Sequence, residues 1–312
     1  MNSNAANVTY CDFKDIRKAF LVYYSYLSLI IICIFGSMTN VLNICFLTTK
    51  QMRCPTNLIL TGLALANLMV ILEYIPFVFL YTENKAYVSH FTYNLAVFVI
   101  FHAWFAQAFH FISCCLAVIL AIWQYIAVKF PQNNNKWCSN KRTKITLSLT
   151  YALCMVVCIP LNLSLKIWER QVPINQNGKI LPKNKVPFAN GIIYVADYEN
   201  DCYQIISSYV YGFVIKLVQC VLLTVLSCLL IVELLAAKER KKNLLNASSN
   251  KRKPSQRFLE KEKQADRTTR MLLAVLLLFL IVEFPQGIFG MLNFIIGKKF
   301  EIECYQPLGD VF

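Results

Sequence analysis

Six stretches of this chain stay apolar for about 20 residues or more, the length that carries a helix across a bilayer: Tyr23 to Leu47, Asn57 to Tyr81, Tyr93 to Val128, Ile145 to Leu165, Ser207 to Ala236 and Met271 to Ile296. At about 1.5 Å per residue each reaches about 30 Å or more. With 57% hydrophobic and only 15% charged residues, the chain is too apolar for a soluble domain of 312 residues, and the polar turns that a soluble α/β core requires are missing from these runs. In hydrocarbon the backbone must satisfy its own polar groups, so the runs are predicted to be helices. The expected fold is an all-α membrane bundle.

Lysine and arginine set the orientation. Nineteen of the 31 fall in the first, third and fifth connections, twelve of them between Lys238 and Arg270, and eleven fall on the other side. The odd-numbered loops are therefore expected in the cytoplasm and the N-terminus outside, as in a multi-pass protein of the plasma membrane. Counting acids as well, the cytoplasmic side carries +15 and the outer side +1. That asymmetry suits an anionic inner leaflet and an intracellular protein partner, and it does not read as a nucleic-acid surface, because no basic face interleaved with aromatics is present. Residues 1–22 are read as an extracellular segment without a cleavable signal, 23–312 as the membrane domain, and 237–270 as a cytoplasmic loop within it. Asn7-Val8-Thr9 is a glycosylation sequon on the side expected to be extracellular.

Three of the 13 cysteines, Cys11, Cys202 and Cys304, lie on the outer side and are disulfide candidates. Sequence does not fix the pairing; a bridge at Cys202 is preferred because it would pin the long loop from Lys166 to Ile206. No Cys-x-x-Cys or Cys/His metal spacing occurs, and no metal or cofactor is implied.

The polar residues inside the apolar runs are few, and an ionisable group there points to function by default. Glu73 lies beside Tyr74 in the second run; His102, Trp104, Gln107 and His110 lie in the third; Lys216 lies in the fifth; Glu283, followed by Phe284, Pro285 and Gln286, lies in the sixth. Lys216 and Glu283 are expected to share an outer cavity and to pair. Glu233, near the cytoplasmic end of the fifth run, reads as a side chain that reaches up to the headgroups.

Several of these residues sit in recognisable blocks. Gly36-Ser-Met-Thr-Asn40, Leu63-Ala-Leu-Ala-Asn67-Leu68, Trp123-Gln-Tyr-Ile-Ala-Val-Lys-Phe-Pro131 and Glu283-Phe-Pro285 resemble the rhodopsin-like (class A) G protein-coupled receptors. Leu72-Glu-Tyr-Ile-Pro-Phe77, Phe101-His-Ala103, Arg267 to Phe279, Glu283 to Gly287 and Cys304-Tyr-Gln-Pro-Leu-Gly-Asp310 resemble, more narrowly, the invertebrate myosuppressin and FMRFamide-related neuropeptide receptors.

The resemblance implies a seven-helix receptor that binds an amidated Arg-Phe type neuropeptide outside and passes the signal to a heterotrimeric G protein inside. A peptide guanidinium requires a carboxylate, which Glu73 and Glu283 supply, and aromatics such as Tyr74, Trp104 and Phe284 can take the phenyl ring. His102, Gln107, Lys216 and Gln286 complete the expected ligand-binding set. Ala106 stands where amine receptors place an acid. Gln124, Tyr125, Arg267 and Arg270 fall at the expected G-protein switch, and Asn40 and Asn67 in the polar core.

Three departures accompany these matches. Gln124 replaces the usual arginine, Asn67 the usual aspartate, and Gln219 the usual fifth-span proline, so the local bulge made by that proline is expected to be absent. The chain also stops at Phe312, where a seventh span would begin. The expectation is therefore six complete spans and the start of a seventh, as in a truncated gene model, an isoform or a degenerating copy. A non-signalling receptor copy is the alternative function. A transporter or membrane enzyme is a weaker one, since the first three spans do not echo the last three and the histidines lack catalytic spacing.

Overall fold

The computed structural model describes residues 26–82, 87–181 and 187–247, together with 273–274, 277–278, 281, 284–285, 287–289, 291–292, 295–296 and 304. The apolar runs form long helices: α1 (Tyr26–Leu47), α2 (Pro55–Thr82), α3 (Tyr93–Lys129), the short α4 (Asn134–Trp137) and α5 (Asn140–Leu163). A β-hairpin follows, with β1 (Leu165–Ile174) and β2 (Ala189–Tyr198), and then α6 (Asp201–Ser208), a π-helical segment (Tyr209–Leu217) and α7 (Val218–Ala247). Among the described residues five helical stretches are long and apolar enough to cross a membrane: Leu29–Leu47, Pro55–Leu80, Tyr93–Lys129, Asn140–Pro160 and Ile215–Ala236. The described residues of the sixth run up to 296 are helical. The described helices form an all-α membrane bundle.

α3 is the axis of the core. Phe109, Ile112, Leu116, Ala117, Leu120 and Ala121 are buried along it and meet Ile59 and Ala66 of α2, Cys154 of α5 and Leu223 of α7. The opposite relation holds on α1 and on the outward face of α5, where Ile31, Ile32, Phe35, Ile145, Leu149 and Leu153 are more than half exposed. Apolar surface on that scale is stable only against lipid, where helices associate by close packing and not by a hydrophobic drive. Gly62 shows how close that packing is. A Cβ at this position would lie 2.4 Å from Leu147 Cδ1, so α2 and α5 meet over a bare backbone, and Tyr151 of α5 donates to Gly62 O at 2.7 Å.

The hairpin was not anticipated; the sequence reading had only a loop there. Ten residue pairs from Leu165↔Tyr198 to Ile174↔Ala189 align antiparallel. The chain reverses beyond β1 at Asn175 to Lys179, where Asn175 Oδ1 accepts from the backbone N–H groups of Asn177 and Lys179, and Gly178 takes a φ of 73°, which glycine adopts without a Cβ clash. Arg170 donates to Asp197 at 2.6 Å and Lys166 pairs with Glu199 across the strands. The hairpin is tied to the connection between α2 and α3: Val88 N donates to Gly178 O at 3.0 Å, Tyr194 N donates to Phe91 O at 3.1 Å, and the Tyr93 and Tyr194 rings meet edge to face.

Two expectations are corrected here. Cys202, the preferred bridge partner, is an exposed free thiol, whereas Cys304 is disulfide-bonded and buried; Cys11 lies outside the described residues. The fifth span also keeps a local widening without proline, because the nine residues Tyr209–Leu217 run as a π-helix that ends two positions before Gln219. Such segments arise where a helix takes in an extra residue, and they concentrate at functional positions.

Candidate functional site: buried charges at the hairpin end of the bundle

Glu73 and His102 occupy matching depths. Glu73 lies nine residues before the end of α2 and His102 nine residues after the start of α3, which places both about 13 Å in from the hairpin end. His102 Nδ1 donates to Glu73 Oε2 at 2.6 Å, and the imidazole stacks on Phe77, with centroids 3.6 Å apart and planes within 8°. Tyr74 tilts against both rings. Glu73 is 9% exposed, and its second oxygen, Oε1, is buried with no hydrogen-bond partner among the described residues. A buried acceptor left open normally costs about 1–3 kcal/mol, more when charged, so the arrangement holds unused capacity for a donor.

Lys216 is the second buried charge, 2% exposed within the π segment, and it donates to His110 Nε2. Cys114 Sγ lies 3.7 Å from the same ring nitrogen. A Cβ on Gly287 would lie 3.6 Å from the Lys216 backbone and Cβ, so the sixth run passes close against this segment. Glu283, expected to pair with Lys216, lies outside the described residues, as does Gln286. Gln219, on the turn after Lys216, is buried with both carboxamide atoms unpartnered among the described residues.

The other expected ligand residues divide. Trp104 keeps a buried Nε1 that has no partner among the described residues. Gln107 is half-buried, and Phe284 is exposed. The structure thus joins Glu73, Tyr74 and His102 in one cluster and Lys216 with His110 in another. Phe77 belongs to the first cluster and escaped the sequence reading; its position one turn after Glu73 on the same helix was the available signal.

At the opposite end of the bundle, Gln124 is buried and donates from Nε2 to Thr56 Oγ1 at 3.3 Å, while Trp123 Nε1 donates to Thr143 Oγ1 at 3.2 Å. Tyr125 Oη accepts from Lys129 Nζ at 2.6 Å, and the same ammonium lies 3.0 Å from Glu233 Oε1. Glu233 is therefore engaged between spans, not simply extended to the headgroups as its position suggested. In the polar core, Ser113 Oγ donates to Asn67 Oδ1 at 2.7 Å, whereas Asn40 Nδ2 turns back to Gly36 O of its own helix at 2.9 Å. Arg267, Arg270 and Asn7 lie outside the described residues. Cys138, in the connection before α5, is buried, and that burial pushes its thiol pKa up.

Long lipid-facing helices around a central α3, with charges buried at one end, are the frame of a serpentine receptor, and the family model described as serpentine type 7TM GPCR chemoreceptor Srw matches residues 26–307. The chain belongs to this family. Among curated proteins, the receptor is 28% identical to "G-protein coupled receptor dmsr-1" of Caenorhabditis elegans over 97% of its own length and 64% of the relative. It is 25% identical to the "Sex peptide receptor" of Drosophila melanogaster over 79% of its length and 55% of the relative. It is 24% identical to "Sex peptide receptor-related protein 2" of Caenorhabditis elegans, over 83% and 56% respectively. The receptor chain thus spans between about half and two thirds of the length of these relatives.

Proposed function

We propose that this receptor is of the rhodopsin-like class, sits in the plasma membrane with the hairpin outside, and binds an amidated Arg-Phe type neuropeptide of the FMRFamide or myosuppressin kind. It then passes that binding to a heterotrimeric G protein inside. The observation that carries the reading is the buried, open Oε1 of Glu73 among Tyr74, Phe77 and His102. A guanidinium is the donor best suited to a carboxylate whose other oxygen is already engaged, because it offers several N–H groups on one delocalised charge, and its planar face stacks on neighbouring aromatic rings. The sequence relationship to a receptor named for sex peptide supports a peptide ligand.

A second reading keeps peptide binding and removes signalling. It is favoured by Gln124, which is buried and tied to Thr56 at the position where the resemblance expects an arginine.

Binding and signalling should be measured separately, using a panel of amidated Arg-Phe peptides on cells that display the receptor, with labelled-peptide retention as one readout and second-messenger output as the other. Retention with output supports the first reading, and retention without output supports the second. Retention of no peptide on the panel, or equal retention by Glu73→Gln, would remove the peptide assignment.

A further inference from the structure

We infer that the segment from Phe130 to Lys144 forms a binding site for a phospholipid whose headgroup carries more than one phosphate. Lys136, Lys141, Arg142 and Lys144 fall within nine residues that contain no acid, and all four are exposed. Among the described residues no carboxylate pairs with any of them, and none has a further contact of that kind.

Their direction is what separates this patch from a mere excess of charge. On α5, Ile145, Leu149 and Leu153 follow one another at four-residue spacing, each more than half exposed, and this row faces hydrocarbon. Lys141 is the next member of that row toward the helix start, one turn beyond the last apolar residue. Lys144 heads the adjacent exposed row through Ser148 and Ala152. Thr143, on the other face, is fully buried against Trp123, so the helix cannot roll to carry the cations inward without breaking that bond. The ammonium groups therefore emerge at headgroup level on the lipid side.

Beside them, Trp137 and Phe130 are 41% and 39% exposed, with their rings edge to face at 5.6 Å. Exposed aromatics at this depth are interfacial anchors, and four cations beside them complement a headgroup of several negative charges better than a single one. The cytoplasmic placement rests on the topology proposed above. The binding chemistry does not, because it needs only the four cations and the two rings at a bilayer surface.

The test uses the whole receptor in nanodiscs whose two leaflets have the same composition, so that neither orientation nor peptide response enters the result. The discs contain choline lipid with a small fraction of either a phosphatidylinositol bisphosphate or phosphatidylserine, and the lipid retained on the receptor is measured by native mass spectrometry. The bisphosphate should be retained over serine lipid. At about fivefold per base, Lys141→Gln with Lys144→Gln should reduce retention by roughly tenfold or more. Lys50→Gln with Arg53→Gln, on the preceding basic connection, should leave it unchanged. If removing all four charges harms folding, the Lys141/Lys144 pair alone decides, with displacement by soluble inositol trisphosphate as a second readout on the unmodified receptor. Equal retention of serine and bisphosphate lipid, or equal loss from the Lys50/Arg53 variant, would reduce the patch to a topology signal and overturn the site.

Discussion

Gln124 of α3 holds Thr56 of α2 through a 3.3 Å hydrogen bond from its side-chain amide, in a place with almost no solvent access. The described partner of this residue is a hydroxyl and not a carboxylate. Converting Gln124 to arginine therefore introduces a buried cation without a paired acid among the described residues, which is expected to destabilise the receptor by about 3–5 kcal/mol. Gln124→Leu should destabilise it by only about 0.5–1.5 kcal/mol, the net worth of one hydrogen bond. Thermal unfolding of the purified variants decides. An arginine variant as stable as the parent would mean that an acid reaches this position after all.

The Glu73–His102 pair should behave asymmetrically. His102→Phe leaves the buried carboxylate without its described donor and is expected to cost about 1–3 kcal/mol or more. Replacing both, as Glu73→Leu with His102→Phe, should be nearly neutral or stabilising, because an apolar pair removes the desolvation of both groups. If the proposed peptide binds at Glu73, its retention should nevertheless vanish in the double variant. Stability and ligand response would then move in opposite directions, the behaviour of a group kept for binding.

Gly62 tests the packing of α2 on α5. Gly62→Val places methyl groups where Leu147 Cδ1 already stands 2.4 Å from the Cβ position, and overpacking of this kind costs about 1–3 kcal/mol. Tyr151→Phe removes only the 2.7 Å bond to Gly62 O and should cost less, about 0.5–1.5 kcal/mol. Because the two changes act on one contact, their combined effect on the unfolding temperature should fall short of the sum.

The spans were legible because bilayer length imposes an apolar run that nothing else in the chain imitates. Glu73 was legible for the same reason, as a carboxylate where carboxylates are expensive. Its partner was not: nothing in the chain between Glu73 and His102, which stands 29 positions further on, tells which side chain of α3 turns toward α2. The hairpin was missed because the polar Asn175 to Lys179 turn and the short alternation around Ile167 are weak signals beside 20-residue apolar runs. The π segment has no composition of its own. Reading the usual fifth-span bulge as a consequence of proline led to the wrong expectation, because the widening here arises in a stretch, Tyr209–Leu217, that contains none.

Lys129 and Glu233 offer the sharpest test of how the basic end of the bundle moves. Their 3.0 Å ion pair, reinforced by the bond from Lys129 to Tyr125, joins the end of α3 to the middle of α7, near the end of the stretch Ile215–Ala236. Any motion that parts these two helices must break it. If the receptor signals, Lys129→Gln and Glu233→Gln should each raise output in the absence of ligand, and the exchange Lys129→Glu with Glu233→Lys should return it toward the parent value, since the attraction is restored with its sign reversed at each site. A partly exposed pair is screened by salt, so the coupling measured on purified receptor by a distance probe between the end of α3 and the middle of α7 should weaken as ionic strength rises. An exchange variant as active as the single variants would show that the pair is incidental and that closure of this end rests on the buried bonds of Gln124 and Trp123.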